Sequence, residues 1–106
     1  PWLQNTRSVL PATGCIDMRR SYRVVGRVQG VGFRQFTAAR AKELGLMGWV
    51  RNLPDGSVEA EAQGREVTLA DFEALLRRGP QLSRVDSLVV AELPEQPAMT
   101  GFEILR

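Results

Sequence analysis

The order of extended and helical patterns along residues 21–106 constrains the fold more than any other feature of this sequence. Alternating or β-branched segments predict strands, and apolar residues spaced three or four apart predict helices. The predicted strands are 21–28, 46–52, 57–63, 84–93 and 101–106, and the predicted helices are 34–44 and 69–78. This order, β-α-β-β-α-β with a short final strand, predicts the α+β class. The expected architecture is a ferredoxin-like split β-α-β sandwich, with an antiparallel sheet and two helices on one face.

The second predicted helix has the clearest boundary signals. Thr68 and Asp71 have the spacing of a capping box at its start, and Gly79–Pro80 predicts its end. Large aromatic residues pack in the hydrophobic core more often than they form a platform for a ligand. We therefore assign Trp49 and Phe72 to the hydrophobic core.

Residues 1–20 show no clear periodicity. We interpret them as an N-terminal extension, from an expression vector or an upstream start, and residues 21–106 as the single domain expected for this length. Met18 is a candidate for the natural initiator. The segment "LPATG" at residues 10–14 resembles a cell-wall sorting signal. Such signals stand near a C-terminus, so we attribute this match to chance.

The residue inventory excludes several kinds of chemistry. The sequence contains one cysteine, Cys15, and no histidine. An internal disulfide, a Cys/His metal site and a histidine-activated nucleophile are therefore excluded. No stretch approaches the roughly 20 apolar residues of a membrane span. We expect a cytoplasmic monomer with no membrane partner.

The net positive charge of the chain comes from its N-terminal segment, residues 1–20. The whole chain carries a formal net charge of +2, whereas residues 21–106 hold eleven basic and eleven acidic side chains. A neutral body lacks the basic surface that binds a phosphate backbone. We therefore expect no nucleic-acid partner.

The segment "GRVQGVGFRQF", residues 26–36, joins the first predicted strand to the first predicted helix and contains three glycines. The free N–H groups and the dipole of a helix N-terminus favour anions, and glycines allow close backbone approach. Arg34 adds a planar fork suited to phosphate. The pattern predicts an anion cradle, most simply for a phosphoryl group. The alternative is a tight connection followed by a solvated arginine, and the spacing matches neither the Walker A nor the GxGxxG motif.

Asn52 ends the second predicted strand, directly before the turn "LPDGS". An asparagine in this position often caps the turn by bonding to the backbone, which is the simpler interpretation. The pattern alone does not bring Asn52 close to Arg34, because the ends of the two strands need not coincide.

Several ordered segments together resemble the acylphosphatase family. They are "GRVQGVGFR", then "ELGLMGWVRNLPDGSVEAEAQG", then "LLRRGP" and a terminal "FEI". The resemblance runs from Tyr22 to Ile104 and leaves out the first 20 residues. It implies a small ferredoxin-like enzyme that hydrolyses acyl phosphates to a carboxylate and inorganic phosphate, without metal or cofactor.

The resemblance also implies site residues. Arg34 matches the family's catalytic arginine, which would hold the phosphoryl oxygens, and Asn52 matches its catalytic asparagine, which would orient the attacking water. The water's proton would pass to the substrate's own phosphate. The residue after this asparagine is often a hydroxyl residue in animal-type members, whereas here it is Leu53. We expect activity to be retained. The backbone N–H groups implied to bind the substrate phosphate, or inorganic phosphate in its place, are those of Gln29, Gly30, Val31, Gly32, Phe33 and Arg34.

Three other interpretations remain open. "QGVGFRQF" partly resembles the RNP1 motif of RNA-recognition domains, although Val31 and Arg34 stand where that motif has an aromatic and an apolar residue. Acylphosphatase-like domains also occur within larger proteins such as hydrogenase-maturation carbamoyltransferases, but the absence of a linker before Arg106 favours a free-standing enzyme. A catalytically silent regulatory copy is disfavoured by the presence of both Arg34 and Asn52.

Overall fold

The computed structural model describes residues 17–105. The interpretations of residues 1–16, including the sorting-signal match and Cys15, lie outside the described residues, as does Arg106. The strands are β1 (Met18–Arg27), β2 (Met47–Asn52), β3 (Val58–Gly64), β4 (Arg84–Leu93) and β5 (Phe102–Ile104), and the helices are α1 (Phe33–Glu43) and α2 (Glu66–Arg78). The predicted order of elements is confirmed. The first strand begins at Met18, three residues before the predicted start, because it pairs with β3 as far as Gly64.

The five strands form one sheet in the order β4-β1-β3-β2-β5. The first four strands are antiparallel to their neighbours, whereas β5 pairs in parallel with β2 at the edge. The ferredoxin-like fold is therefore confirmed, but the sheet is mixed rather than wholly antiparallel. The parallel pairing follows from the route of the chain, which leaves β4 at one edge and returns as β5 at the other.

The hydrophobic core lies between one face of the sheet and the two helices. Tyr22, Ala60 and Val50 form one cross-strand row of this face, and each is almost fully buried. Phe72 of α2 is also buried, and its ring meets that of Tyr22 edge-on at 5.6 Å between centroids. The core assignment of Phe72 is confirmed. Burial of rings of this size supplies much of the free energy that holds the helices on the sheet.

Trp49 is not a core residue, contrary to the sequence-based assignment. It neighbours the buried Val50 along β2, and successive side chains of a strand point to opposite faces. Trp49 is half-buried on the face away from the helices, where the guanidinium of Arg51 lies 5.2 Å from its ring centroid. The aromatic ring therefore serves as a platform for a cation.

The predicted capping box at Thr68 and Asp71 is wrong. Helix α2 begins at Glu66, two residues before Thr68, and its N-cap Arg65 makes no side-chain capping bond. The reason is the short connection, since β3 ends at Gly64 and Arg65 alone separates the strand from the helix. Thr68 thus lies inside the first turn.

The sheet register brings the ends of β1 and β2 to the same edge. Both strands pair antiparallel with β3, and Val58 at the start of β3 pairs with Val24 on one side and Asn52 on the other. Two strands that flank a common antiparallel partner run in the same direction, so their carboxyl ends meet. This arrangement places the connection from β1 to α1 beside the hairpin turn from β2 to β3.

Candidate active site

The connection from Val28 to Gly32, here called the glycine loop, adopts backbone conformations that favour glycine. Gly30 and Gly32 have φ angles of 75° and 79°, in the left-handed region. A Cβ built on either residue meets no atom within 4 Å, so conformation rather than crowding selects glycine there. Gly26 has another role, because a Cβ there would overlap the carbonyl oxygen of Arg84 in β4. Two of the three glycines therefore shape the loop and the third permits close strand packing.

The glycine loop leads directly into the N-terminus of α1. Gly32 is the N-cap, and the first helical hydrogen bond runs from the N–H of Phe36 to the carbonyl of Gly32 at 3.0 Å. The N–H groups of residues 33–35 come before this bond and have no partner within the helix. No acidic residue occupies the first turn of α1. The free donors and the helix dipole together favour an anion at this end.

Arg34 lies in this first turn and is half-buried. Its Nη1 donates a hydrogen bond to the backbone carbonyl of Leu105 at 3.3 Å. Leu105 follows β5 and is itself held by a bond from its N–H to the carbonyl of Val50 at 2.8 Å. The parallel pairing of β5 with β2 is what carries the chain to this edge. Sequence reasoning missed Leu105, because no local signal connects residues so distant in the chain.

A cavity of about 310 Å³ opens between the glycine loop and the end of β2. It is lined by Val28, Gly30, Gly32, Phe33, Arg34, Gln35 and Asn52. Of the lining residues that the structure describes, one is cationic and none is anionic, so the cavity suits a negatively charged ligand. The structure thus brings Asn52 and Arg34 to one cavity, which the sequence pattern alone did not predict.

The other candidate residues are distributed as follows. Gly30, Gly32 and Phe33 line the cavity as the resemblance implies, whereas Gln29 and Val31 do not. Sequence reasoning missed Gln35, whose signal is its position directly after Arg34 in the first helical turn.

The hairpin turn, residues 53–57, has its own stabilising bonds. The N–H of Leu53 donates to the carbonyl of Ser57 at 2.8 Å, and that of Gly56 donates to the carbonyl of Leu53 at 3.1 Å. Asp55 accepts from the N–H of Ser57 at 2.9 Å and from its Oγ at 2.6 Å. These bonds from Ser57 lower the pKa of the Asp55 carboxyl. The capping role that sequence reasoning considered for Asn52 is therefore performed by Asp55.

Comparisons with known proteins agree with this fold. Residues 20–104 match the family model described as Acylphosphatase. An acylphosphatase from Nitratidesulfovibrio vulgaris (strain DP4) is 52% identical over 88 residues, covering 81% of this chain and 88% of that protein. An acylphosphatase from Methylococcus capsulatus is 51% identical over 83 residues, covering 78% of this chain and 90% of that protein.

A solved structure is also closely similar. The crystal structure of acylphosphatase from Bacillus subtilis has a TM-score of 0.81 with this chain at 37% sequence identity. The match covers 84% of this chain and 99% of the Bacillus chain. The described fold, the matched family model and these relatives all lead to one assignment. The chain belongs to the acylphosphatase family of hydrolases.

Proposed function

We propose that this protein hydrolyses acyl phosphates to a carboxylate and inorganic phosphate by attack of water on phosphorus, without a metal ion or cofactor. The observation that carries the proposal is that Arg34, Asn52 and the N-terminus of α1 line one cavity. Hydrolysis of acyl phosphates is the activity after which the family is named, and the mechanism is our inference from the side chains around this cavity.

The phosphoryl group binds at the start of α1 in this mechanism. The N–H groups of residues 29–34 surround it, and the Arg34 guanidinium donates to its equatorial oxygens. Phosphoryl transfer depends mainly on positioning and on stabilising charge at these oxygens. Backbone donors fixed by the fold need no reorganisation as that charge shifts, and this makes them effective in the transition state.

Asn52 orients the attacking water. Its side-chain amide both donates and accepts hydrogen bonds, so it holds a water opposite the leaving carboxylate. Among residues 17–105 no carboxylate lines the cavity, and the sequence has no histidine, so the substrate's own phosphate accepts the water's proton. Because a carboxylate is a good leaving group, the acyl oxygen leaves without a general acid.

We further propose that the part of residues 1–20 that precedes β1, which begins at Met18, is an extension outside the catalytic domain, and that the enzyme acts as a cytoplasmic monomer. The location rests on the single cysteine of the sequence. Among residues 17–105, no helix has the length and apolar character of a membrane span. Every group named in the mechanism belongs to residues 21–106.

The RNA-binding alternative receives no support from the fold. In RNA-recognition domains the RNP1 segment lies on a central strand, whereas the similar segment here forms the glycine loop and the start of α1. On the face of the sheet away from the helices, Arg23 pairs with Asp55 and Arg51 pairs with Glu59. These arginine charges are neutralised within the protein.

Benzoyl phosphate hydrolysis in excess EDTA tests the proposal, with wild type compared with Arg34→Ala and Asn52→Ala. Losing one preorganised donor costs about 10²–10³ in rate, so both variants should lose nearly all turnover. Arg77→Ala, an exposed arginine at the end of α2, is the matched control and should retain full activity. Turnover that requires a metal would contradict the mechanism. Turnover that survives Asn52→Ala would remove the water-positioning role.

A further inference from the structure

The side-chain amide of Gln29 joins the glycine loop to the hairpin turn. Its Nε2 donates to the carbonyl of Leu53 at 2.8 Å and to the carbonyl of Ser57 at 3.0 Å. Leu53 directly follows Asn52 in the chain. The amide thus connects the part of the site that holds Arg34 to the part that holds Asn52.

Backbone pairing does not make this connection. The ladder between β1 and β3 ends at the pair Val24 and Val58, and beyond it β1 pairs only with β4 as far as Arg27. Within residues 17–105, the hydrogen bonds between the glycine loop and the hairpin turn are the two from Gln29. One side chain therefore makes the hydrogen bonds that join the glycine loop to the turn after β2, although core packing of Val28 and the bonds of Arg23 to Asp55 and Ser57 support the same region.

The two acceptors are suited to this role because the turn itself fixes them. The Ser57 carbonyl also accepts from the N–H of Leu53, and the Leu53 carbonyl also accepts from the N–H of Gly56. Ser57 is 3% exposed, so the carbonyl lies in a region where a lost donor is not readily replaced by water. The Gln29 amide is half-buried and already held by two hydrogen bonds to a closed turn, so it loses little further conformational freedom when substrate binds.

We propose that Gln29 is a positioning residue that sets the distance and orientation between the phosphate held at the glycine loop and the water held by Asn52. This inference rests on the proposed function. The side chain touches neither reacting group and does not line the cavity. Its effect falls on the attack geometry, whereas the phosphate contacts at the helix N-terminus stay intact.

Gln29→Met tests the role, since methionine has similar length but no donor. A displacement of about 1 Å in a reacting group costs up to 10²-fold, so kcat should fall by about 10–100-fold. The inhibition constant for inorganic phosphate should stay within about threefold of wild type. Gln63→Met is the matched control. Gln63 bonds to both the N–H and the carbonyl of Gln96, at 2.7 and 2.9 Å, at the opposite end of β3. This control should lower thermal stability and leave kcat unchanged.

Gln29→Glu provides a second readout that a merely structural role would not alter. The ionised carboxylate has no proton to donate to the two carbonyls, whereas the protonated acid has one. The ratio of variant to wild-type kcat should therefore rise as the pH falls from 8 to 5. The same ratio for Gln29→Met should be flat. A flat ratio for both variants would contradict the donor role.

A titration with inorganic phosphate, followed by ¹H–¹⁵N spectra, separates this proposal from the proposed function. In wild type, phosphate should change the chemical shifts of the Leu53 and Gly56 amides as well as those of the glycine-loop amides. In Gln29→Met, only the chemical shifts of the loop amides should change. An equal response of the hairpin amides in both proteins would overturn the positioning role. An unchanged kcat in Gln29→Met would do the same. Wild type that shows this coupling but no turnover would refute the enzymatic mechanism and support the link.

Discussion

Arg34 and Leu105 are 71 residues apart in the chain, yet the guanidinium of the first donates to the backbone carbonyl of the second at 3.3 Å. The bond joins the first turn of α1 to the end of β5. Because the carbonyl belongs to the backbone, its position depends on the β5–β2 pairing and not on the identity of a side chain. The C-terminal strand is therefore part of the active-site architecture.

Deleting residues 105–106 should reduce kcat/KM for benzoyl phosphate by at least about tenfold, because a hydrogen bond to a charged group contributes roughly 1.5–3 kcal/mol. The same deletion in an Arg34→Ala background tests the cause. If the carbonyl acts through Arg34, the deletion should produce little further loss there. Equal losses in both backgrounds would show that the C-terminus supports the fold alone.

Gly32→Ala should separate stability from activity when compared with Gly45→Ala. Both glycines have left-handed φ angles, 79° and 71°, and at both a Cβ meets nothing within 4 Å. Each alanine should therefore cost a similar ~1–2 kcal/mol of unfolding free energy in urea titrations. Gly32 lies in the cavity wall and Gly45 follows the far end of α1, so activity should fall only in Gly32→Ala. Equal activity in the two variants would mean that the loop conformation does not matter for substrate binding.

The Asp55 carboxyl should make stability depend on acid pH. Hydrogen bonds from the hydroxyl and N–H of Ser57 lower its pKa from the ordinary value of 3.8. A depressed folded-state pKa means that the stabilisation is present above pH 3.8 and is lost as the pH falls below it. Urea midpoints measured at pH 7 and pH 3 should therefore differ less in Asp55→Asn than in wild type. An equal difference in the two proteins would contradict the role of Asp55.

Phe72→Ala should be the most destabilising of these changes. The ring is fully buried and meets both Tyr22 and Phe102, so its removal leaves a cavity in the middle of the core. Losses of about 3–5 kcal/mol are typical for such truncations. Val67→Ala on the same helix removes a side chain that is 65% exposed and should change stability by less than about 0.5 kcal/mol. Thermal denaturation of both variants measures the difference.

The sequence allowed the order of elements, the glycine loop and, within one residue, the start of α1 at Phe33 to be predicted, because each depends on local periodicity or on backbone preferences. The approach of Asn52 to Arg34 could not be predicted in this way. It arises because Val58 pairs with both Val24 and Asn52, which is a property of the strand order. Only the family resemblance anticipated it.

Two other features were not predicted from the sequence, each for a different reason. Trp49 lies on the face away from the helices because it alternates with the buried Val50 along β2. The period-2 pattern therefore indicated its position, but the core assignment was made from the size of the ring. The bonds of the Gln29 side chain depend on where a distant turn lies, and no pattern around residue 29 indicates them.

The edge position of β5 has a consequence for how this protein loses activity when heated. Central ladders of a sheet usually open only when the whole domain opens, whereas peripheral segments fray earlier. Asn52 pairs with β3, the middle strand of the five, but the carbonyl that accepts from Arg34 follows β5 at the edge. Loss of activity should therefore begin at a lower temperature than loss of the folded state.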